Sequence, residues 1–136
     1  MKKYKPEIIR FKSFKEKSGT LIPFYMGKHL PKNFILKRFF FLYGKKKFLR
    51  ADHAHKKCTQ ILIPIIGKVK ITTYFNKKKK IFKLDPKKGV ALKIPVHTWL
   101  NIKFYKNDDC LLTACNYKYD KKEYISDFKI FKKKYF

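Results

Sequence analysis

His53 and His55 stand two residues apart in the stretch Arg50-Ala51-Asp52-His53-Ala54-His55-Lys56-Lys57-Cys58-Thr59-Gln60. Side chains of an extended strand alternate faces, so both imidazoles project to one side and Ala54 to the other. Imidazole titrates near neutral pH, and a pair in one pocket can take a proton from one atom and give one to another. Two of the four histidines in the chain lie here. The stretch predicts acid-base chemistry in a shared pocket.

The elements that must hold this pair are short and rich in β-formers. Phe34 to Tyr43 is largely β-branched or aromatic and predicts a buried strand, and Gly44-Lys45-Lys46-Lys47 a turn before the histidine strand. Gln60 to Ile66 is apolar on both faces, as an inner strand should be. Lys68 to Phe75 follows after Gly67. Asn76 to Lys80 predicts a charged hairpin tip leading into a strand from Ile81 to Leu84. Asp85-Pro86-Lys87-Lys88-Gly89 is a turn by composition. Strands are predicted over Val90 to Ile94, Trp99 to Phe104 and Leu111 to Ala114. At the C-terminus the period changes. Asp120-Lys121-Lys122-Glu123 has the spacing of a capping box, and Tyr124, Phe128 and Phe131 recur at helical intervals, which predicts a short helix starting at Asp120. Regularly spaced short strands with turn signals predict an all-β fold, a sandwich or small barrel in one domain over residues 1–136, with a short C-terminal helix.

Composition limits the partners. Hydrophobic residues make up 45% and aromatic residues 18% of the 136-residue chain, enough for a real core. The net charge of +27 points first to a polyanion. Of the 36 basic residues, however, only Arg10, Arg38 and Arg50 are arginine, the side chain suited to bidentate recognition, and the lysines are spread along the whole chain. A solvated lysine surface is the simpler reading, with no specific nucleic-acid partner. Cys58, Cys110 and Cys115 are odd in number and lack CxxC spacing, which predicts reduced thiols in a cytoplasmic protein. No run reaches the length of a membrane span, and Met1 to Pro6 leads into no apolar signal region.

Two diffuse signatures of cupin barrels are visible. His53 and His55, four residues, Gln60, six residues, Gly67 is similar to the first, with Gln in the place of Glu. Gly89 and Pro95 fit the second, but His97 stands where that signature has Gly and Leu100 where it has His. Metal-binding cupins use the paired His, the Glu and the late His. Two of those four donors are missing here, and a transition-metal site needs about three or four. The expectation is no metal and no cofactor, with both imidazoles free for acid-base work.

A tighter resemblance covers most of the chain. Gly19-Thr20-Leu21, Lys37-Arg38 followed by aromatics through Tyr43, the Arg50 to Gln60 motif, Asp108-Asp109-Cys110-Leu111-Leu112, and Asn116-Tyr117 with Tyr119-Asp120 and Glu123-Tyr124-Ile125 resemble the sugar-nucleotide 3,4-ketoisomerases, the dTDP-4-oxo-6-deoxyglucose isomerases of deoxysugar biosynthesis. The chain departs from that family where Pro95-Val96-His97-Thr98-Trp99-Leu100-Asn101 replaces Pro-Pro-x-x-Trp-His-Glu, and where Phe39, Phe40 and Phe41 replace tyrosines.

The resemblance implies a cupin domain and conversion of a nucleotide-linked 4-keto sugar to its 3-keto isomer. On this reading His53 and His55 share the roles of base and acid, their assignment left open. Arg50 near the pocket rim, and Arg38 on a neighbouring strand, would bind the diphosphate. Gln60 would orient a histidine or a sugar hydroxyl, and Tyr43 would donate a hydrogen bond to the sugar. If relatives relay a proton through the late His or a tyrosine, His97, Tyr43 or water must serve here. Trp99 is expected in the core. The resemblance also implies a homodimer. A sugar-nucleotide-binding barrel without catalysis, a 3,5-epimerase of the same pathway and, from charge alone, a nucleic-acid-binding barrel are the alternatives.

Overall fold

In the computed structural model, which describes residues 5–25 and 30–136, the strands form two five-stranded antiparallel sheets around a common apolar core. The lysine-rich start, through Tyr4, lies outside the described residues. The first sheet runs in the order β1 (Glu7–Arg10), β9 (Val90–Ile94), β6 (Gln60–Ile66), β11 (Cys110–Cys115), β4 (Arg38–Tyr43). The second runs β12 (Tyr124–Ile125), β5 (Leu49–His55), β10 (Trp99–Phe104), β7 (Val69–Phe75), β8 (Lys78–Leu84). Strands β2 (Phe14–Glu16) and β3 (Gly19–Leu21) make a separate hairpin. The arrangement is the jelly roll of cupins, with two sheets that do not close into a continuous barrel.

The inner faces meet as the alternation dictates. Leu62, Leu92, Ile94 and Leu111 from one sheet pack with Ile71, Phe82, Leu84, Ile102 and Phe104 from the other. Burying such side chains stabilises the fold by roughly 1.5–3 kcal/mol each. A second cluster closes one end. There Ala54, Trp99 and Ile125 pack under Phe131 of the C-terminal helix α1 (Phe128–Tyr135). Trp99 is thus a core residue, as expected.

Several boundaries differ from the sequence reading. The strand expected from Phe34 begins only at Arg38, because the Phe34 N–H donates to Pro31 O in a turn and its ring packs in a third cluster with Phe11 and Ile61. The hairpin tip is only Asn76-Lys77, both with positive φ (48° and 63°), so Lys78 to Lys80 already pair with β7. Positive φ at both central residues is the turn whose twist suits a two-residue hairpin. Asp120 caps only a 3₁₀ turn (Lys121–Glu123), and the helix starts at Phe128 with Asp127 as its cap. The Asp127 carboxylate accepts the N–H groups of Lys129 and Ile130. What looked like a capping-box glutamate, Glu123, closes the 3₁₀ turn, and the first residue of the expected apolar stripe, Tyr124, begins the edge strand β12 of the second sheet.

Gly89 joins the 3₁₀ turn Pro86–Lys88 to β9 with φ of 62°. A Cβ there would sit 2.4 Å from the backbone oxygen of Phe11, whose own N–H donates to Gly89 O at 2.7 Å. Gly89→Ala is expected to lower stability by about 1–2 kcal/mol from left-handed strain, and further because the Phe11 backbone must move. A denaturant midpoint unchanged from wild type would refute this account of the turn.

Candidate active site

The histidine strand reaches its position through an irregularity. His53 pairs with Leu100 and Ala51 with Asn101, so Asp52 is one residue too many on β5, and both Ala51 and Asp52 adopt left-handed backbone (φ 65° and 55°). Such a bulge re-aims the side chains beyond it. Asp52 turns outward and accepts the indole N–H of Trp99 at 3.2 Å. Beyond the bulge the alternation is regular. Ala54 enters the cluster under the helix, and the rings of His53 and His55 lie together on the opposite side, 4.7 Å between centroids.

Their contacts are specific. Nε2 of His53 lies 3.1 Å from Nε2 of His55, and Nδ1 of His53 donates to the carbonyl oxygen of Ala51 at 2.9 Å. Nδ1 of His55 meets Oε1 of Glu123. The other carboxylate oxygen of Glu123 accepts the backbone N–H groups of Lys56 (3.1 Å), Lys57 (3.1 Å) and Cys58 (3.3 Å). Glu123 is almost fully buried. Burial raises its pKa, but the hydrogen bonds from His55 and from the Lys57 and Cys58 N–H groups outweigh that and hold it below the usual carboxylate value. Burial lowers both imidazoles. His53 falls to about 4, chiefly by burial and then by the charge of His55, while at His55 burial wins over an opposing Glu123.

A cavity of about 180 Å³ opens beside His53, with Arg50, Gln60 and Tyr124 among its polar lining and Phe40 and Leu100 among its apolar lining. Arg38 comes from β4, which belongs to the opposite sheet and is not the neighbour of the histidine strand, correcting the expectation from sequence. It crosses to Tyr124, donating from a terminal nitrogen to the phenol oxygen at 3.3 Å, and its Nε is buried with no hydrogen-bond partner. Tyr124 packs against both imidazoles. Gln60 is buried and donates to Sγ of Cys115 at 3.8 Å rather than to a histidine.

Two expected participants are elsewhere. Arg38, Phe40 and Leu42 are the half-buried residues of β4, so Tyr43 falls on the outer face, 60% exposed. His97 has positive φ and stacks on Tyr135 of the helix at 4.2 Å, so only its backbone N–H reaches the site, donating to His55 O. Neither side chain can relay a proton here. Glu123 was missed because its spacing from Asp120 imitates a helix start. The available signal was a carboxylate among lysines inside Glu123-Tyr124-Ile125, a piece of the family motif.

The residues present do not fit a metal centre. Leu100, 1% exposed, occupies the place of a ligand and has no lone pair, and Gln60 is turned to Cys115. The one cluster with mixed donors among the described residues, His55, Cys58 and Glu123, is already engaged. Glu123 is taken up by three backbone N–H groups and His55, and the free Cys58 thiol, hydrogen-bonded with Cys115 and buried, is pushed above its ordinary pKa, which disfavours the thiolate that a metal would need.

Against known proteins, the family model described as "FdtA: WxcM-like, C-terminal" matches residues 4–135. The TDP-4-oxo-6-deoxy-alpha-D-glucose-3,4-oxoisomerase of Aneurinibacillus thermoaerophilus is 26% identical over 128 residues, 93% of this chain and 90% of that protein. Among solved structures, a His-to-Asn variant of the 3,4-ketoisomerase QdtA from Thermoanaerobacterium thermosaccharolyticum, in complex with TDP-4-keto-6-deoxyglucose, superposes with a TM-score of 0.83 at 30% identity, covering 94% of this chain and 91% of that one. The TDP-fucose-3,4-ketoisomerase WlaRA of Campylobacter jejuni gives 0.76 at 32% identity, covering 93% and 92%.

Proposed function

The chain belongs to the FdtA family of WxcM-like C-terminal domains, and from that membership we propose that it is an isomerase acting on a TDP-linked 4-keto-6-deoxyhexose to give the 3-keto isomer. The observation that carries the reading is the imidazole pair, Nε2 to Nε2 at 3.1 Å, beside a cavity in a chain that matches 3,4-ketoisomerases along nearly its whole length.

The reaction asks for what this site has. The carbonyl at C4 acidifies the hydrogen on C3. A base removes that proton, and the electron pair forms C3=C4 with the charge on the former carbonyl oxygen. The hydrogen of the C3 hydroxyl passes to that oxygen, and protonation of C4 then returns the electrons through O3, leaving the carbonyl at C3 and a hydroxyl at C4. His53 and His55 supply base and acid on one face, and such catalysis contributes about 10²–10⁴-fold. The rest comes from positioning and from charge stabilisation of the enediolate. No step calls on a metal or cofactor.

Binding is the work of the arginines. Arg50 at the mouth suits the diphosphate, and Arg38, with a buried Nε that lacks an acceptor, suits a substrate oxygen. Gln60 lines the same cavity and offers an amide to a sugar hydroxyl. The domain spans residues 1–136 and acts as a homodimer. The support is the apolar row Phe39, Phe41 and Tyr43 on the outer face of edge strand β4, all more than half exposed, a surface a second copy would cover. A cytoplasmic location agrees with three free, buried thiols, and no helix among the described residues is long and apolar enough to cross a membrane.

Incubating the protein with TDP-4-keto-6-deoxyglucose and following the mixture by NMR is expected to yield a 3-keto isomer, and the spectrum also identifies the C4 configuration. Tight binding without a 3-keto product would leave a sugar-nucleotide-binding barrel as the function.

A further inference from the structure

One rung of the first sheet gathers chemistry that the imidazole pair does not use. Cys115 of β11 lies directly opposite Arg38 of β4 on one side and Gln60 of β6 on the other. Partners across a ladder point to the same side of a sheet, so a thiol stands between a guanidinium and an amide on the inner face. Nε2 of Gln60 donates to Cys115 Sγ at 3.8 Å. The guanidinium of Arg38 reaches the same sulphur. So does the thiol of Cys58, whose other acceptor in reach is Thr59 O at 3.6 Å. Cys58, Gln60 and Cys115 are all buried.

Arg38 is a half-buried cation without a carboxylate. None of the ion pairs among the described residues includes it. Its other contacts are neutral: the phenol of Tyr124 at 3.3 Å and the rings of Phe40 and Tyr119. The buried carboxylate of the site, Glu123, is held by His55 and three backbone N–H groups. A charge taken out of water needs a counter-charge close by. Cys115 is the group placed to supply it.

We propose that Cys115 is a positioning residue for the substrate, an anionic sulphur that accepts hydrogen bonds from Arg38, Gln60 and Cys58 and so holds the first two against the cavity. Only the sugar atoms assigned to Arg38 and Gln60 rest on the isomerase reading above. A sulphur that only accepts is a thiolate, and converging donors beside a cation are what stabilise one. The hydrogen bond from Cys58 leads, and with the charge of Arg38 and the Gln60 amide it outweighs burial and brings Cys115 down to about 7. Cys58 moves the opposite way, held up by Cys115, burial and the charge of Glu123, so the pair carries one proton on Cys58. Two orientations follow. With its N–H end tied to the sulphur, Gln60 offers its carbonyl oxygen to a sugar hydroxyl in the cavity it lines. With the sulphur and the Tyr124 phenol holding the guanidinium, the Nε of Arg38, which has no partner, is left for a sugar oxygen.

Ultraviolet thiolate absorbance of the ligand-free protein, followed over a pH titration, tests the charge. One step is expected near neutral pH, below the ordinary thiol range. It should be absent from Cys115→Ser, because Cys58 and Cys110 are both held above the ordinary value. In Arg38→Gln the step should move to higher pH by about 1 unit, the low end for loss of a close opposite charge. A thiol that only fills space would not respond to Arg38. In turnover, Cys115→Ala should raise KM for the 4-keto sugar about 5–10-fold, the loss of one or two hydrogen bonds, with kcat changed less. Inhibition by TDP, which lacks the sugar, should stay near wild type, and Cys115→Ser, which restores an acceptor, should recover most of the loss in KM. No step near neutral pH in the wild type, a step that persists in Cys115→Ser or stays in place in Arg38→Gln, or a wild-type KM in Cys115→Ala would overturn the proposal. Should Cys115→Ala fail to fold by circular dichroism, the titrations of wild type and Arg38→Gln decide. They need no substrate, so the expected step without any 3-keto product would strike the isomerase reading and leave the anion in place.

Discussion

Replacing His53 and His55 together with asparagine is expected to lower turnover of the 4-keto sugar by about 10²–10⁴-fold, with KM changed far less. Asparagine fills similar space and can still donate to Ala51 O and Glu123, so the surrounding structure has partners. It cannot take or release a proton at neutral pH. The arginines that would hold the substrate, Arg50 and Arg38, are untouched, so the loss should fall on kcat. Turnover is read by NMR of the keto isomers, with folding checked by circular dichroism. Activity within a few-fold of wild type would end the assignment of these rings as base and acid.

Glu123→Ala should be the most damaging single change to stability, costing about 3–5 kcal/mol near neutral pH, the usual price of removing one partner from a buried charged network. Three backbone N–H groups, on Lys56, Lys57 and Cys58, and Nδ1 of His55 lose their acceptor at once. The effect has a pH signature with a definite sign. The folded-state pKa of Glu123 is depressed, so its ionised form contributes stability above the ordinary carboxylate value, and that contribution is lost as pH falls through the folded value. The gap between wild type and Glu123→Ala, measured by denaturant unfolding, should therefore be widest near neutral pH and narrow on acidification. A gap independent of pH, or under about 1 kcal/mol, would mean the carboxylate is not the anchor described here.

Strand alternation carried much of the site, and where it failed the cause is local. Two residues separate His53 from His55, and they do share a face. The same rule already separated Arg38 from Tyr43, whose odd spacing of five puts them on opposite sides of β4. The resemblance had drawn Tyr43 toward the sugar against that parity, and the parity was right. Arg50 and His53 are also an odd number apart, yet both line the cavity, because the extra residue at Asp52 resets the alternation. Nothing in Ala51-Asp52 announces left-handed backbone at two successive residues, so this could not be read from composition. Gln60, Gly67 and Gly89 kept the cupin spacing and with it the jelly roll. Glu123 was hidden for a different reason. Its role depends on a contact with His55, 68 residues away, and only tertiary structure distinguishes a carboxylate serving a distant imidazole from one serving the next helix.

The surplus residue in β5 has a consequence for the tolerance of this strand to length changes. Deleting Asp52 would leave an even ladder with β10 and set Arg50 and His53 two positions apart, on the face they already share. What would go is the acceptor of the Trp99 indole N–H, and with it the left-handed kink that brings the Ala51 carbonyl to the ring of His53. Losing Ala54 would be the graver shortening, because the two rings would become neighbours in sequence and face opposite ways.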